Sequence, residues 1–282
     1  MRIFFLLLII PFLSFSQDDL LSEIDTKDDN QYASAAFKGL KIVNFESTKI
    51  ADKKLFYMVV SHRFGTVKNG IDDFFGLDGA VTRLNFIYGI MDGVNIGVSR
   101  SSFQKTYETS LKYRLLRQKK GGLPFTLVGY NSVTINTQID KENNNLPGLE
   151  FKHRLAYVWQ MLLSRKFNKN FSLQVMPTLL HENLTVVDDQ ENTQYALGVG
   201  GRHKLTKRWS INVDYAYHMN RSSDSPFKNP LSIGFDLETG GHVFQMHFTN
   251  AQPMNTYGVL SQGSGDWGDG DFFFGFNLSR VF

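Results

Sequence analysis

Ser61 and His62 are the first place to look for catalysis, because a serine paired with a basic histidine is the centre of many hydrolases. Both residues lie in a stretch of alternating apolar and polar residues, which predicts a β-strand. Neighbours in a strand point to opposite faces, so these two side chains would not share a hydrogen bond. The chain also lacks a G-x-S-x-G motif. We therefore predict that the protein is not an enzyme.

Metal and cofactor chemistry finds equally little support. The seven histidines are scattered without an H-E-x-x-H motif, and there is no cysteine, which excludes disulfide frameworks and thiolate metal sites. Acidic clusters occur at residues 72–73 and 266–271, but they do not have the spacing of an EF-hand loop. The sequence predicts neither a metal site nor a cofactor.

Charged residues at alternate positions of apparent strands form the largest group with possible chemistry. All would point to the same side of a sheet, and they are Arg63, Arg83, Glu108, Lys112, Arg114, Arg202, Lys204, Asp214, Asp236 and Glu238. If that side encloses a lumen, these groups could line a polar pore and tune its selectivity. They could equally pair across a narrow lumen and fill it as a structural network, which we favour.

The elements that must position these residues are long β-strands. Apolar residues recur at every second position, as at Trp209, Ile211, Val213, Tyr215 and Tyr217, with polar residues between them. Twelve such strands can be placed between residues 55 and 282, most of them as long as the ~9 to 11 residues that cross a bilayer. Short connections alternate with long ones rich in Asp, Asn, Gly and Ser. This pattern predicts an all-β, closed, up-and-down transmembrane β-barrel of about twelve strands, residues 54–282.

Composition agrees with that fold. A balance of 30 Lys and Arg against 27 Asp and Glu argues against a nucleic-acid binder. A mean hydropathy of −0.23 leaves no room for a helical membrane bundle. Residues 1–16 have a positive start, an apolar run and small residues at the end, which is typical of a secretory signal peptide.

The region between signal and barrel divides into two parts. Residues 17–30 form an acidic stretch that we interpret as a flexible linker. Residues 31–53 are too apolar for a linker, and Phe37, Leu40, Ile42 and Phe45 are candidates for a plug in the periplasmic mouth of the barrel. The alternative is an arm that docks a periplasmic partner.

Several short motifs resemble a known family. They are Ser61-His62-Arg63-Phe64-Gly65, Phe75-Gly76-Leu77-Asp78, Tyr88-Gly89, Ile96-Gly97-Val98-Ser99-Arg100 and Lys105-Thr106-Tyr107-Glu108. Together they resemble a family of Bacteroidetes outer-membrane β-barrels catalogued as a domain of unknown function. The resemblance implies fold and location, with no catalytic residue or substrate. The last strand, ending in the aromatic Phe282, resembles the signal that the barrel-insertion machinery reads, although Arg280 departs from that pattern.

The function expected from these features is that of an outer-membrane channel or transporter for small polar solutes or ions, with both termini in the periplasm. Its partners would be outer-membrane lipid, the insertion machinery and, through the N-terminal arm, a periplasmic protein. A non-conducting structural or docking barrel is the first alternative, and a lipid-modifying outer-membrane enzyme is the second.

Overall fold

The computed structural model describes residues 32–139 and 148–282; the predicted signal peptide and acidic linker lie outside them. Twelve antiparallel strands form a closed barrel, which confirms the predicted fold. They are β1 (Phe56–Thr66), β2 (Val81–Met91), β3 (Val94–Ser101), β4 (Tyr107–Leu116), β5 (Thr126–Ile135), β6 (Leu155–Lys166), β7 (Phe171–Glu182), β8 (Thr193–Lys204), β9 (Trp209–His218), β10 (Leu231–Thr239), β11 (His242–Thr249) and β12 (Phe273–Val281).

Each strand pairs with its sequence neighbours, and β1 closes the barrel by pairing with β12. In that closing ladder Tyr57 lies opposite Val281 and His62 lies opposite Phe276. On its other side β1 pairs with β2, so that Ser61 faces Arg83. Closure leaves no strand edge unpaired, which is what a sheet in hydrocarbon requires. Within the described residues, no helix is long and apolar enough to cross a membrane.

Alternation along the strands separates two environments. On β3, Ile96 and Val98 face outward and are exposed, whereas Asn95 and Ser99 face inward and are buried. The outer face therefore presents large apolar side chains to lipid. The connections sort by end of the barrel as the sequence indicated, with short ones at one end and long ones at the other, apart from two of intermediate length: residues 102–106 at the long-loop end and residues 117–125 at the short-turn end.

The inner wall is less uniformly polar than the alternation suggested. Its strands β5 to β9 contribute an apolar stripe that includes Val128, Val158, Leu162, Met176 and Ala216, all fully or nearly fully buried. The sequence from Leu155 to Leu163 is almost continuously apolar because both faces of β6 are covered, one by lipid and the other by protein.

Two segments supply that inner covering. Residues 32–53, which we call the arm, enter through the short-turn mouth, reverse direction and leave through the same mouth; the reversal is closed by a hydrogen bond from the Ile42 amide to the Phe45 carbonyl (2.8 Å). The arm leaves past Gly89, where a Cβ atom would collide with the Asp52 carbonyl group. A hydrogen side chain is thus required at Gly89 for the chain to pass from the arm into β1.

The second segment, residues 250–272, connects β11 to β12, and we call it the inner loop. The sequence pattern placed this segment among the long outside loops; residues 253–263 are instead buried inside the barrel, whereas residues 266–272, which include the acidic cluster, are partly or fully exposed. The helix α1 (Thr256–Ser261) is buried along its whole length, and Asn255 caps its N-terminus by accepting a hydrogen bond from the Gly258 amide. Val259 and Leu260 pack in the same apolar cluster as Ile42 and Phe45 of the arm. Arm, inner loop and wall therefore share one core in the middle of the barrel.

Candidate functional site

The candidate site is the set of contacts by which the wall holds the tip of the arm. Asp214 on β9 points inward, and its Oδ2 accepts hydrogen bonds from three successive backbone amides, those of Val43 (3.0 Å), Asn44 (2.8 Å) and Phe45 (3.1 Å). In the turn at the tip of the arm, these three amides have no hydrogen-bond partner within the arm itself, so they are available to the wall. One carboxyl oxygen thus accepts all three amides of the tip.

The side chain of Asn44 fixes the tip from the other side. Its Nδ2 donates to Ser232 Oγ (2.8 Å) and Thr249 Oγ1 (2.9 Å), on β10 and β11. Its Oδ1 accepts from Arg63 Nη2 on β1 (2.7 Å). All polar atoms of this amide are engaged, so the register of the tip against the wall is specified by geometry rather than by apolar contact alone.

A buried charge cluster lies behind the tip. Glu46 Oε2 is 2.7 Å from Lys112 Nζ on β4, and Glu46 Oε1 is 3.6 Å from Lys41 Nζ. Burial alone would raise the pKa of Glu46, but Lys112 and Lys41 outweigh it and hold that pKa below its ordinary value. Burial lowers the pKa of Lys41 to about 8. Lys112 Nζ also donates to the carbonyl groups of Leu40 and Ser47, so one wall lysine holds both limbs of the arm.

Two further wall residues secure the returning limb. Gln174 on β7 accepts from the Thr48 amide (2.9 Å) and donates to the Glu46 carbonyl (2.7 Å). The hydroxyl oxygens of Thr48 and Ser164, the latter on β6, are 2.6 Å apart. The arm is thus hydrogen-bonded to strands around most of the barrel.

The arm and the inner loop meet at Arg63. Its Nη1 donates to the carbonyl groups of Ala251 (2.5 Å) and Pro253 (2.8 Å) in the inner loop, while its Nη2 holds Asn44. Lys41 Nζ donates to the Met254 carbonyl (3.0 Å), which is a direct bond from arm to loop. The two segments that occupy the lumen are therefore held to one another as well as to the wall.

The remaining charged residues singled out from the sequence fall into two groups. Arg83 and Glu108 form a buried ion pair (2.6 Å), and Asp236 accepts from Gln245 (2.9 Å) in the same inward layer. The others lie towards the short-turn mouth and border a cavity of about 780 Å³ between arm and wall; they are Arg114, Arg202, Lys204 and Glu238.

The four apolar residues proposed for a plug are all buried inside the barrel: Phe37, Leu40, Ile42 and Phe45. Phe282 lies outside, exposed, with its ring 6.0 Å from that of Phe56 and 4.7 Å below the guanidinium of Arg280. Recognition of this last strand by the barrel-insertion machinery stays a prediction.

Comparisons with known proteins agree with this architecture. A family model described as a membrane bound beta barrel domain (DUF5777) matches residues 37–282. The chain belongs to this family. The match confirms the predicted resemblance to an uncharacterised barrel family, and it includes the arm from Phe37 onward. No curated protein was matched.

Solved structures with a similar fold are porins. The KdgM porin in complex with disordered oligogalacturonate is 9% identical, with a TM-score of 0.51, and the match covers 80% of this chain and 99% of that one. The NanC porin is also 9% identical, with a TM-score of 0.51 and coverage of 80% and 98%. At 9% identity this likeness establishes only that the chain has the fold of a porin-type barrel. It does not indicate whether the chain transports a solute.

The structure does not bring Ser61 and His62 together. Ser61 is buried on the inner face, whereas His62 faces outward and its Nδ1 lies 2.8 Å from Thr82 Oγ1. Among residues 32–139 and 148–282, no group of three or more His, Asp or Glu side chains is placed to hold a metal ion.

Sequence reasoning missed the uncharged half of the site. The wall amides Gln174, Gln245 and Asn277 bind the arm, and Asn44 of the arm binds the wall, yet only charged side chains were selected. Large amides on the inward face of a strand were the available signal, because a buried amide must find partners and a narrow lumen offers few besides a second segment of chain.

Proposed function

We propose that this barrel is a gated outer-membrane channel for small polar solutes or ions, and that the arm is its gate. The proposal rests on how Asp214 holds the arm. Three amides bound to one carboxylate form a single reversible latch, and water can replace each bond when the arm leaves. The wall, by contrast, is held by continuous antiparallel ladders. In this proposal the arm leaves while the strand ladders, which do not include it, stay intact.

Departure of the arm would also affect the inner loop. Lys41 and Asn44 leave with the arm, and with them go the direct bond to Met254 and one partner of Arg63. The inner loop then keeps fewer of the contacts that hold it in the lumen. Departure of the arm through the short-turn mouth would in this way weaken the binding of the inner loop, which enters the barrel from the opposite end.

We place the short-turn mouth and both termini in the periplasm, since outer-membrane barrels have tight periplasmic turns and longer outside loops. Enzymatic activity forms no part of the proposal.

The experiment is single-channel recording in planar bilayers with Asp214→Asn, which removes the charge and keeps the side-chain shape. Hydrogen bonds to charged groups contribute about 1.5 to 3 kcal/mol each, so we expect the open probability to rise by about tenfold or more. Asp92→Asn, at an exposed turn, is the matched control and should behave as the wild type. A folded Asp214→Asn barrel with wild-type open probability would contradict the gate.

A second candidate function is a non-conducting barrel that presents its arm to a periplasmic partner. The observation in its favour is the apolar packing of Phe37, Ile42 and Phe45 against the wall, which makes the arm part of the core. This function predicts no conductance from the wild type, from Asp214→Asn or from a chain lacking residues 30–51. Openings in any of the three would exclude it.

A further inference from the structure

The cavity at the short-turn mouth has an unusual charge. It measures about 780 Å³, and eight basic side chains line it against two acidic ones, Asp52 and Glu238. The whole chain, in comparison, carries a formal charge of only +3. The excess of positive charge at this mouth is therefore a local feature and not a reflection of overall composition.

Part of this charge has no acidic partner among the described residues. Lys38 pairs with Glu238 at 3.1 Å. Within the part of the chain that the structure describes, Arg114, Lys169 and Lys204 have no carboxylate within 4.0 Å of their charged nitrogens. Lys49 donates to the Lys38 carbonyl (2.7 Å) rather than to an acid.

Lys49 lies where the barrel wall limits its access to water. Burial is the main cause that lowers the pKa of Lys49; among the nearby charges, Glu238 and Asp52 raise that pKa while Lys38 and Arg202 lower it. The excess of basic over acidic side chains along the cavity lies in this partly dehydrated region. Concave surfaces of one sign with low-dielectric walls concentrate the field and raise the local concentration of counter-ions.

We propose that this cavity is a binding site for a soluble multivalent oxyanion, a small solute that carries two or more carboxylate or phosphate groups. Its volume lies within the ~300 to 1,000 Å³ of ordinary ligand pockets. Arginine guanidinium groups bind carboxylate and phosphate in a bidentate manner, and the cavity lining includes two of them, Arg114 on β4 and Arg202 on β8. Lysines from both the arm and the wall also line the cavity.

The site is built jointly by the arm, through Lys38 and Lys49, and by strands β4 and β8. It therefore exists in full only while the arm is docked. Binding does not require that the barrel conducts, so this inference and the proposed channel function fail separately.

Two other sources could provide the same negative groups. Phospholipid headgroups lie near the mouth of any membrane barrel, although this cavity faces the lumen and the arm rather than the lipid. The chain's own residues 18–29 contain six acidic residues and one lysine, and they precede Tyr32, which is anchored beside the cavity by a bridge to Lys119. The experiment below includes a separate measurement for each of these two sources.

The test is isothermal titration calorimetry of the full-length mature protein in micelles of an uncharged detergent at low ionic strength. Citrate is the probe, and glucose is the neutral comparison. We expect citrate to bind, with an affinity that falls as salt is added, and glucose not to bind. The variant Arg114→Gln/Lys169→Gln/Lys204→Gln should lose at least tenfold in citrate affinity. The variant Lys68→Gln/Lys105→Gln/Lys228→Gln makes the same change in net charge at the other end and should bind as the wild type.

Four results would overturn the proposal. They are absence of citrate binding by the wild type, equal loss in both triple variants, displacement of citrate by phosphatidylglycerol added to the micelles, and binding that appears only after the acids of residues 18–29 are replaced by amides. The third result would assign the site to lipid headgroups, and the fourth to the chain's own acidic segment. Circular dichroism of each variant separates loss of the site from loss of the fold.

Discussion

The position of Asp214 could be predicted from the sequence, but its hydrogen-bond partners could not. Its position on the inward face follows from the alternation along β9, and the sequence suffices to predict it. Its partners do not follow, since they are backbone amides about 170 residues earlier in the chain, and backbone amides carry no sequence signature. The inward layer was predicted as a structural network or a pore lining. The structure shows that much of it binds a second segment of chain.

Lys41 makes the stability of the folded protein rise at alkaline pH. Its pKa in the folded protein is about 8 against an ordinary 10.5, because this arm residue is buried. Between these two values the unfolded chain binds more protons at this group than the folded chain, so stability rises with pH across that window; below pH 8 Lys41 is protonated in both states and the full cost of burying its charge remains. From pH 8 to 10 the gain is roughly 2 kcal/mol.

Urea unfolding in detergent micelles at pH 8 and pH 10 checks this expectation. The rise in unfolding free energy should be larger for the wild type than for Lys41→Met, which has no proton to lose. The exposed Lys105→Met provides the control and should rise as the wild type does. If Lys41→Met gains as much as the wild type, burial of Lys41 has no cost in the folded protein.

The strands and turns were predictable from the sequence, but the segments inside the barrel were predictable only in part. Period-two alternation fixes strand and face with local information. The apolar content of residues 31–53 indicated something more than a linker. The inner loop gave the opposite impression, because Asp and Gly dominate residues 263–271 and conceal the short buried helix α1 before them.

The apolar stripe of β6 shows the limit of periodicity. From Leu155 to Leu163 both faces are apolar, with Tyr157 and Trp159 outside and Val158 and Leu162 inside. A continuous apolar run cannot be divided between lipid and core by alternation. Only the presence of arm and inner loop explains it.

At the scale of the whole molecule, orientation in the membrane is the remaining prediction. Because the chain has no cysteine, single cysteines can report on each mouth without background. Asp224→Cys in a long loop should react with an impermeant thiol reagent in intact cells, whereas Lys207→Cys and Gly240→Cys in tight turns should react only after lysis. Labelling of the turns and protection of the loop would reverse the proposed orientation.

If the docked arm closes the barrel, a reversible covalent lock between arm and wall must abolish conductance. Thr48 and Ser164 carry γ-oxygens 2.6 Å apart, and a disulfide joins sulfur atoms at about 2.05 Å, so Thr48→Cys/Ser164→Cys should tie arm to wall with little movement. In planar bilayers we expect the oxidised double variant to show no openings, and dithiothreitol to restore those of the wild type. Each single cysteine variant should be indifferent to dithiothreitol. A barrel that conducts equally well with the disulfide formed would contradict the account.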